Sequence, residues 1–176
     1  LRLSSDEELV VIHDETVNRT TDGRGLVGHK SVAELARLDA RRAGPAWPDP
    51  QPVPTIARVL EEFPELEHLQ LEAKPVDAAS RGLMAERLAA LFRDFDLHER
   101  ATVTSFDREL LRAVRAADAR IALGLVTDRT RPEPLKTALA LGASLLVLHW
   151  KLCTPRRGHE AQAAGLRVSA WTVNDD

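Results

Sequence analysis

The amino-acid sequence predicts an α/β fold in which the strands of a parallel sheet alternate with helices. From about residue 66 onward, short apolar runs alternate with stretches whose apolar residues recur at helical spacing. This rhythm is typical of repeated βα units on a parallel sheet. The composition of the 176 residues, 44% hydrophobic and 29% charged, is that of a globular domain with a real core. We therefore expect one domain over residues 1–176.

Five strands are predicted in the βα region, because short apolar runs there are bounded by polar or glycine-containing segments. They are placed at Glu67–Ala73, Ala101–Ser105, Ile121–Val126, Ser144–His149 and Leu166–Thr172. An earlier apolar run, Leu9–Ile12, also has the character of a strand. It ends directly in His13 and Asp14, so that it delivers a histidine and an acid to the end of a predicted strand.

Helices between the strands are indicated by apolar stripes and by their end signals. The stripes at Ala78–Phe95 and Asp107–Ala117 are those of helices with one core-facing side. Thr154–Pro155 combines a capping residue with proline at the first helical position. Gly142 and Gly165 are expected to close the helices that precede the next strands.

Residues 31–64 depart from the βα rhythm. We expect a short helix at Ser31–Leu38, a proline-rich loop from Gly44 to Pro54, and a second helix that Thr55 opens and Pro64 stops. Proline cannot donate a hydrogen bond to a sheet, so the proline-rich segment suits a rigid loop better than a parallel strand. The domain is therefore predicted to contain a loop-and-helix excursion at about residues 31–64.

Charge and composition exclude several classes of partner. A net charge of −3 offers no concentrated basic face for nucleic acid or an anionic membrane, and no apolar run is long enough for a transmembrane helix. The single cysteine, Cys153, cannot form an internal disulfide and is expected to be a small buried apolar residue. We expect no nucleic-acid partner, no stable membrane insertion and a cytoplasmic location. The chain begins at Leu1 rather than Met, so we expect the true N-terminus to precede it.

The stretch HLQLEAKP, residues 68–75, places polar side chains on one face of a predicted strand. Gln70, Glu72 and Lys74 alternate with apolar residues and so share a face. On a half-solvated antiparallel strand such a face implies no function. On a parallel barrel strand it points into the lumen, where a carboxylate and an ammonium need a partner or a functional reason. The order of βα units favours the second context.

Six motifs in a fixed order resemble the glycerophosphodiester phosphodiesterases. They are His13-Asp14 with NRTTDGRG, S-x-x-E-L with Leu38-Asp39, Pro54-Thr55-Ile56, LEAKP, Thr104-Ser105-Phe106, and WTVN at Trp171–Asn174. The RTT-x-G-x-G loop and WTVN are the most specific, and the order holds across nearly the whole chain. The resemblance implies a (β/α)8 TIM-barrel-like fold, incomplete in this chain, with His13 as one of two acid/base histidines at the barrel mouth.

The resemblance also implies metal-dependent hydrolysis of a small-molecule glycerophosphodiester to glycerol 3-phosphate and an alcohol. It makes His13 the general acid that protonates the leaving alcohol, Glu72 a ligand of a divalent cation, Ca²⁺ or Mg²⁺, and Lys74 a positive charge on the phosphate. Trp171 is expected to be a wall against the glycerol side of the substrate, with a core plug as the alternative.

Other polar residues of the motifs receive supporting roles. Asp14 is expected to orient the histidine or the following turn, and Arg19 to tie the RTT loop together, with phosphate contact as the alternative. Gln70 either tunes the Glu72 carboxylate or is a solvated amide, and His149 is a candidate rim residue. Three further histidines are expected to be solvated: His29, His98 and His159.

The chain departs from the family pattern in several places. Ala73 stands where the family has a branched apolar residue, and the chain contains no H-R-G opening strand, no P-E-N segment and no E-x-D pair. It also stops at Asp176, before any eighth strand. We therefore expect the segment alone to be inactive. Two alternatives are a related phosphodiesterase, such as a phospholipase-D-like enzyme or a phosphoinositide phospholipase, and a degenerate barrel that serves as a binding module.

Overall fold

A computed structural model describes residues 1–44 and 47–173 of the chain. By the contacts within the chain, these residues divide into two units, Leu1–Leu66 and Glu67–Asp176. Pro45, at the start of the proline-rich loop, and Asn174, the last residue of the WTVN motif, lie outside the described residues.

The first unit is built from short elements around its own apolar core. Strand β1 (Arg2–Leu3) pairs antiparallel with β2 (Leu9–Val10), and the helices are α1 (Val32–Leu35) and α2 (Ile56–Glu62). A 3-10 turn covers Val27–His29. The buried residues of this core are Val10, Ile12, Val17, Val27, Leu35 and Val53.

The strand predicted at Leu9–Ile12 is wrong in its length, because β2 covers two residues and belongs to a two-stranded antiparallel sheet. Val11 leaves the ladder and donates its N–H to the carbonyl of Pro54 at 2.9 Å. Ile12 is buried in the core of the first unit without belonging to a strand. Leu9, Val10 and Ile12 are buried, whereas Val11 is exposed. A short apolar run does not distinguish a strand from irregular chain that is partly buried. His13 therefore lies in a bend rather than at a strand end.

The two helices of the first unit begin where their capping residues predict. Ser31 and Glu34 form a reciprocal capping box, in which the Ser31 hydroxyl accepts from Glu34 N and the Glu34 carboxylate accepts from Ser31 N. Thr55 caps α2 by accepting from Arg58 N at 3.2 Å. The helix α1 is shorter than predicted, because the chain continues as turns after Leu35, whereas α2 ends before Pro64 as expected.

The second unit is a parallel sheet whose strands follow one another in chain order. Its strands are β3 (Leu69–Glu72), β4 (Ala101–Ser105), β5 (Ala122–Thr127), β6 (Leu145–His149) and β7 (Arg167–Trp171). Its helices are α3 (Ser80–Asp94), α4 (Arg108–Ala117), α5 (Pro134–Ala140) and α6 (Pro155–Ala163). All five predicted strands are confirmed to within two residues at each end. The unit is a five-stranded portion of an α/β barrel.

Local signals set the ends of these helices. Asp107 caps α4 through its side chain, which accepts from two backbone N–H groups, and Thr154 with Pro155 at N1 begins α6. Gly142 and Gly165 have φ of +63° and +83° after α5 and α6. Residues with a Cβ rarely adopt this left-handed conformation, whereas glycine adopts it without steric strain and so ends these helices.

The two faces of the parallel sheet have different roles. Val103 of β4, Leu123 of β5 and Leu148 of β6 are fully buried, and α4 and α5 pack on these strands. On the opposite face, Glu72 of β3 lies beside Thr104 of β4, and the same row of residues continues onto β5. At the C-terminal ends of the strands this second face presents the polar and aromatic side chains of the candidate site.

Two of the expected burial states are wrong. Cys153 is exposed rather than buried, because it lies in the surface connection between a 3-10 turn and the capping residue of α6. His98 is not solvated: its Nε2 lies 3.0 Å from Asp118 Oδ2, and its ring meets Phe92 edge-on at 5.7 Å. Arg120 first, and His98 after it, hold the pKa of the Asp118 carboxyl well below its usual range.

Across residues 1–44 and 47–173, no helix is both long enough and apolar enough to cross a membrane.

Candidate active site

In the first unit, His13, Asp14 and Arg19 form one hydrogen-bonded cluster. Asp14 Oδ1 lies 2.9 Å from His13 Nδ1, and Arg19 donates to the same carboxylate through Nε at 2.6 Å and through Nη2 at 2.9 Å. The Asp14 carboxylate thus bridges an imidazole and a guanidinium. The His13 side chain is 71% exposed, so the rest of its ring is open to a reacting group.

The charge state of Asp14 determines which nitrogen of His13 can react. The Arg19 guanidinium, and after it the His13 imidazole, hold the pKa of the Asp14 carboxyl well below its usual range. Asp14 is therefore ionised near neutral pH, and an ionised carboxylate only accepts hydrogen bonds. It follows that His13 Nδ1 carries a proton in this contact, and Nε2 is the nitrogen left to exchange a proton with a ligand.

The RTT loop after His13 is held by its own short polar side chains. Thr21 is fully buried; its hydroxyl donates to the Val17 carbonyl at 2.8 Å and accepts from Gly23 N at 3.0 Å. Asn18 Oδ1 accepts from Gly25 N at 2.8 Å, and Gly25 has a φ of +101°. These contacts give a physical reason for the residue types of the NRTTDGRG motif, since each one holds the chain in a fixed loop.

A second tie joins this loop to the Leu38-Asp39 motif. Asp22 Oδ1 accepts from Asp39 N at 2.9 Å, and Asp22 N donates to the Asp39 carbonyl. The Asp39 carboxylate is bound by the Arg41 guanidinium, which lowers its pKa to about 2. Asp39, which the sequence offered only as part of a motif, thus anchors the loop that carries Arg19, a role that was not predicted.

In the second unit, Glu72 and Lys74 lie together at the C-terminal end of β3. Lys74 Nζ donates to Glu72 Oε1 at 2.7 Å, and 10% and 32% of the two side chains are exposed. The backbone between them is fixed, because Ala73 N donates to the Thr104 carbonyl and the Ser105 hydroxyl donates to the Ala73 carbonyl. Both charged groups are therefore held in defined positions.

Three aromatic rings meet at the same end of the sheet. Trp171 contacts Phe106 edge-on with centroids 5.4 Å apart, and His149 edge-on with centroids 5.0 Å apart. Trp171 is half-buried and packs against Val126 and Val147. Sequence reasoning missed the contact with Phe106, because 65 residues separate the two rings. The signal was present in the Thr104-Ser105-Phe106 motif, which places an aromatic residue directly after β4.

Gln70 does not join this group. It is exposed and, with Thr102 and Arg167, lines a cavity of about 190 Å³ at the N-terminal end of the strands. Because side chains two residues apart on a strand lie about 6.6 Å apart along it, Gln70 is one step further from the C-terminal end than Glu72. This position favours the alternative of a solvated amide.

The described residues do not by themselves fit a divalent cation. A hard cation such as Ca²⁺ or Mg²⁺ takes about six or more oxygen ligands. Within residues 1–44 and 47–173, no group of three or more His, Cys, Asp and Glu side chains converges in a way that could hold a metal. Glu72 also already has the Lys74 ammonium beside it.

Comparisons with known proteins agree with the motifs. The sequence model of the glycerophosphoryl diester phosphodiesterase family matches residues 1–176. A glycerophosphodiester phosphodiesterase of Caldanaerobacter subterraneus subsp. tengcongensis is 30% identical over 99% of this chain and 72% of its own length.

Solved structures agree in fold. A phosphodiesterase of Oleispira antarctica, solved in complex with the product sn-glycerol-3-phosphate, aligns with a TM-score of 0.85 over 99% of this chain and 71% of its own, at 24% identity. A glycerophosphodiester phosphodiesterase of Agrobacterium tumefaciens aligns with a TM-score of 0.77 over 99% of this chain and 74% of its own, at 26% identity. With the motifs and the parallel βα units, these findings show that the chain belongs to the glycerophosphoryl diester phosphodiesterase family.

Proposed function

We propose that this protein hydrolyses glycerophosphodiesters to glycerol 3-phosphate and an alcohol. The observation that carries the proposal is the cluster of His13, Asp14 and Arg19, because it presents one imidazole nitrogen to a ligand and keeps the other protonated. Family membership and the relative from Caldanaerobacter support the substrate class.

His13 acts as the general acid. As the oxygen of a water molecule forms a new bond to phosphorus, the P–O bond to the alcohol breaks, and the departing oxygen keeps the bonding electrons and would leave as a strongly basic alkoxide. Proton transfer from His13 Nε2 to that oxygen lets it leave as a neutral alcohol. Asp14 holds the orientation of the ring through Nδ1, and Arg19 keeps Asp14 ionised.

The second unit provides groups for the phosphate and the glycerol. The Lys74 ammonium places a positive charge where a phosphodiester carries its negative charge, which weakens the repulsion of an attacking oxygen. Trp171 and Phe106 present an apolar ring surface to the carbon side of glycerol. The half-buried position of Trp171 supports this role beside its packing against Val126 and Val147.

We also propose that Glu72 contributes one carboxylate to a divalent cation, Ca²⁺ or Mg²⁺, which when bound neutralises charge on the phosphate oxygens. The exposed third of the Glu72 side chain supports this role. The described residues do not complete a ligand set, so the steps above rely on side chains of the chain alone.

The Glu72 proposal predicts a loss of cation affinity on substitution. In the full-length protein, we expect Glu72→Gln to keep the fold and to weaken Ca²⁺ or Mg²⁺ binding about 10- to 100-fold or more, since one charged oxygen ligand is lost. Titration calorimetry with each cation measures this. Glu86→Gln, the same change on an exposed position of α3, is the control. A cation affinity of Glu72→Gln that equals those of the wild type and of Glu86→Gln would remove Glu72 from the cation site.

The activity itself is tested by product release. We expect the full-length protein to release glycerol 3-phosphate from glycerophosphocholine, measured with an enzyme-coupled assay for glycerol 3-phosphate, and to do so only when a divalent cation is present. A folded preparation that binds glycerophosphocholine without releasing product would favour a binding module instead.

The proposed function also includes a domain organisation and a cellular location. We propose that residues 1–176 serve a single catalytic domain with the excursion at 31–64, which the match of the family model over the same residues supports. A cytoplasmic location is supported by the single, unpaired Cys153.

A further inference from the structure

A basic cleft opens beside the C-terminal ends of β4 and β5. It encloses about 340 Å³ and is lined by three arginines, Arg108, Arg129 and Arg131, and by one acid, Asp128. Three guanidinium groups against one carboxylate leave an excess of positive charge in a chain whose net charge is −3. The basic cleft therefore attracts anions, although the protein as a whole does not.

Stability does not explain why these arginines are there. Arg108 is the first residue of α4, where the positive end of the helix dipole disfavours a cation. The neighbouring Asp107 carboxylate does not compensate it, because that carboxylate caps the helix and binds Arg81 at 3.0 Å. In the part of the chain that the structure describes, neither Arg108 nor Arg131 forms a salt bridge.

Arg129 is also only weakly engaged. Its nearest carboxylate oxygen, on Asp128, is 3.8 Å away, and the two side chains are 83% and 53% exposed. A surface pair of this kind contributes little to folding stability. Among the described residues, the three guanidinium groups thus have no strong ion-pair partner and can turn toward a ligand.

The basic cleft adjoins the aromatic rings of the candidate site. Phe106 lines the cleft and contacts Trp171 edge-on at 5.4 Å. Thr127, the last residue of β5, also lines it. Ligands of α/β barrels bind at the C-terminal ends of the strands, so a substrate bound against Trp171 and Phe106 has the basic cleft next to it.

We propose that the basic cleft binds a phosphate monoester on the alcohol portion of the diester. The preferred substrates then carry this terminal phosphate in addition to the phosphodiester that is cleaved. This inference rests on the proposed function. Guanidinium groups bind phosphate through paired, charge-assisted hydrogen bonds. A volume of about 340 Å³ is at the small end of ligand pockets and suits a phosphorylated group about the size of glycerol.

The test compares two substrates that differ only in the terminal phosphate: glycerophosphoglycerol and its terminal phosphate ester. We expect kcat/KM to be about 10- to 100-fold higher for the phosphate ester, the gain expected from charge-assisted hydrogen bonds. In the double variant Arg129→Gln/Arg131→Gln, the ratio of kcat/KM for the phosphate ester to kcat/KM for glycerophosphoglycerol should fall close to one, because KM for the phosphate ester rises. For glycerophosphoglycerol, kcat/KM of this double variant should equal that of the wild type.

The matched control removes two arginines elsewhere. Arg112→Gln/Arg156→Gln changes the net charge equally at exposed positions of α4 and α6 outside the cleft, and we expect it to keep the wild-type ratio. A ratio that is equal in wild type and in the cleft variant would overturn the inference. So would an equal fall of the ratio in the control, since the effect would then come from net charge.

Binding measurements separate this inference from the proposed function. If neither diester is hydrolysed, the proposed function fails, but weaker binding of the phosphate ester to Arg129→Gln/Arg131→Gln in calorimetry would still support the basic cleft. Unchanged binding would overturn it. If inorganic phosphate alone binds through the arginines while both diesters are hydrolysed equally, the cleft is a site for free phosphate and the assignment to the substrate is wrong.

Discussion

Replacing His13 with alanine is expected to lower kcat for glycerophosphocholine by about 10²- to 10⁴-fold, the effect typical of a lost general acid. A substrate analogue with a p-nitrophenol leaving group should lose much less, because that leaving group departs without needing a proton. Steady-state kinetics on both substrates measure the difference. The structure supports the expectation, because Asp14 engages Nδ1 and the His13 side chain is 71% exposed.

A histidine outside the cluster provides the control for this prediction. His29 is exposed at the end of a 3-10 turn in the same unit, and His29→Ala should leave both rates unchanged. Equal losses for the two substrates in His13→Ala would show that His13 binds or positions the substrate without giving a proton to the leaving group.

Replacing Lys74 with methionine is expected to affect both stability and catalysis. The change leaves the Glu72 carboxylate beside an apolar side chain, and we expect the free energy of unfolding to fall by about 1–3 kcal/mol. The value is below that of a fully buried pair because 32% of the Glu72 side chain is exposed. Loss of the charge on the phosphate should lower kcat/KM by about 10²- to 10³-fold. Chemical denaturation and steady-state kinetics measure the two effects.

Lys136→Met is the control for Lys74→Met, since Lys136 is exposed on α5. It should change neither quantity. A Lys74→Met protein that is less stable but equally active per folded molecule would reduce Lys74 to a structural partner of Glu72, and its proposed contact with the phosphate would be wrong.

Most of the secondary structure of the second unit was predictable because its signals are local. Strand β4 and the start of α4 follow from an apolar run and from Asp107, whose carboxylate reaches backbone N–H groups two and three residues later. The turns at Gly142 and Gly165 follow in the same way from a conformation that glycine adopts easily. Such signals need no knowledge of distant residues.

The same local reasoning was wrong for Leu9–Ile12, Cys153 and His98. Val11 leaves the strand and donates a hydrogen bond to Pro54, 43 residues further on. His98, between α3 and β4, contacts Asp118, which directly follows α4. The neighbouring sequence does not identify these partners, because the partners are brought close only by the packing of elements that are distant in the chain.

In the candidate site, too, some features follow from local sequence and others depend on the tertiary structure. By itself, the sequence determined which residue types could do the chemistry, the parallel βα arrangement, and the pairing of Glu72 with Lys74 on one face, because alternation along a strand is a local property. Only the tertiary structure decided that Phe106 meets Trp171, that Asp39 anchors the loop of Arg19, and that Arg108 and Arg131 share one cleft. These contacts join residues that are 17 to 65 positions apart, and chain folding brings them together through the register of the sheet and the closure of the loops.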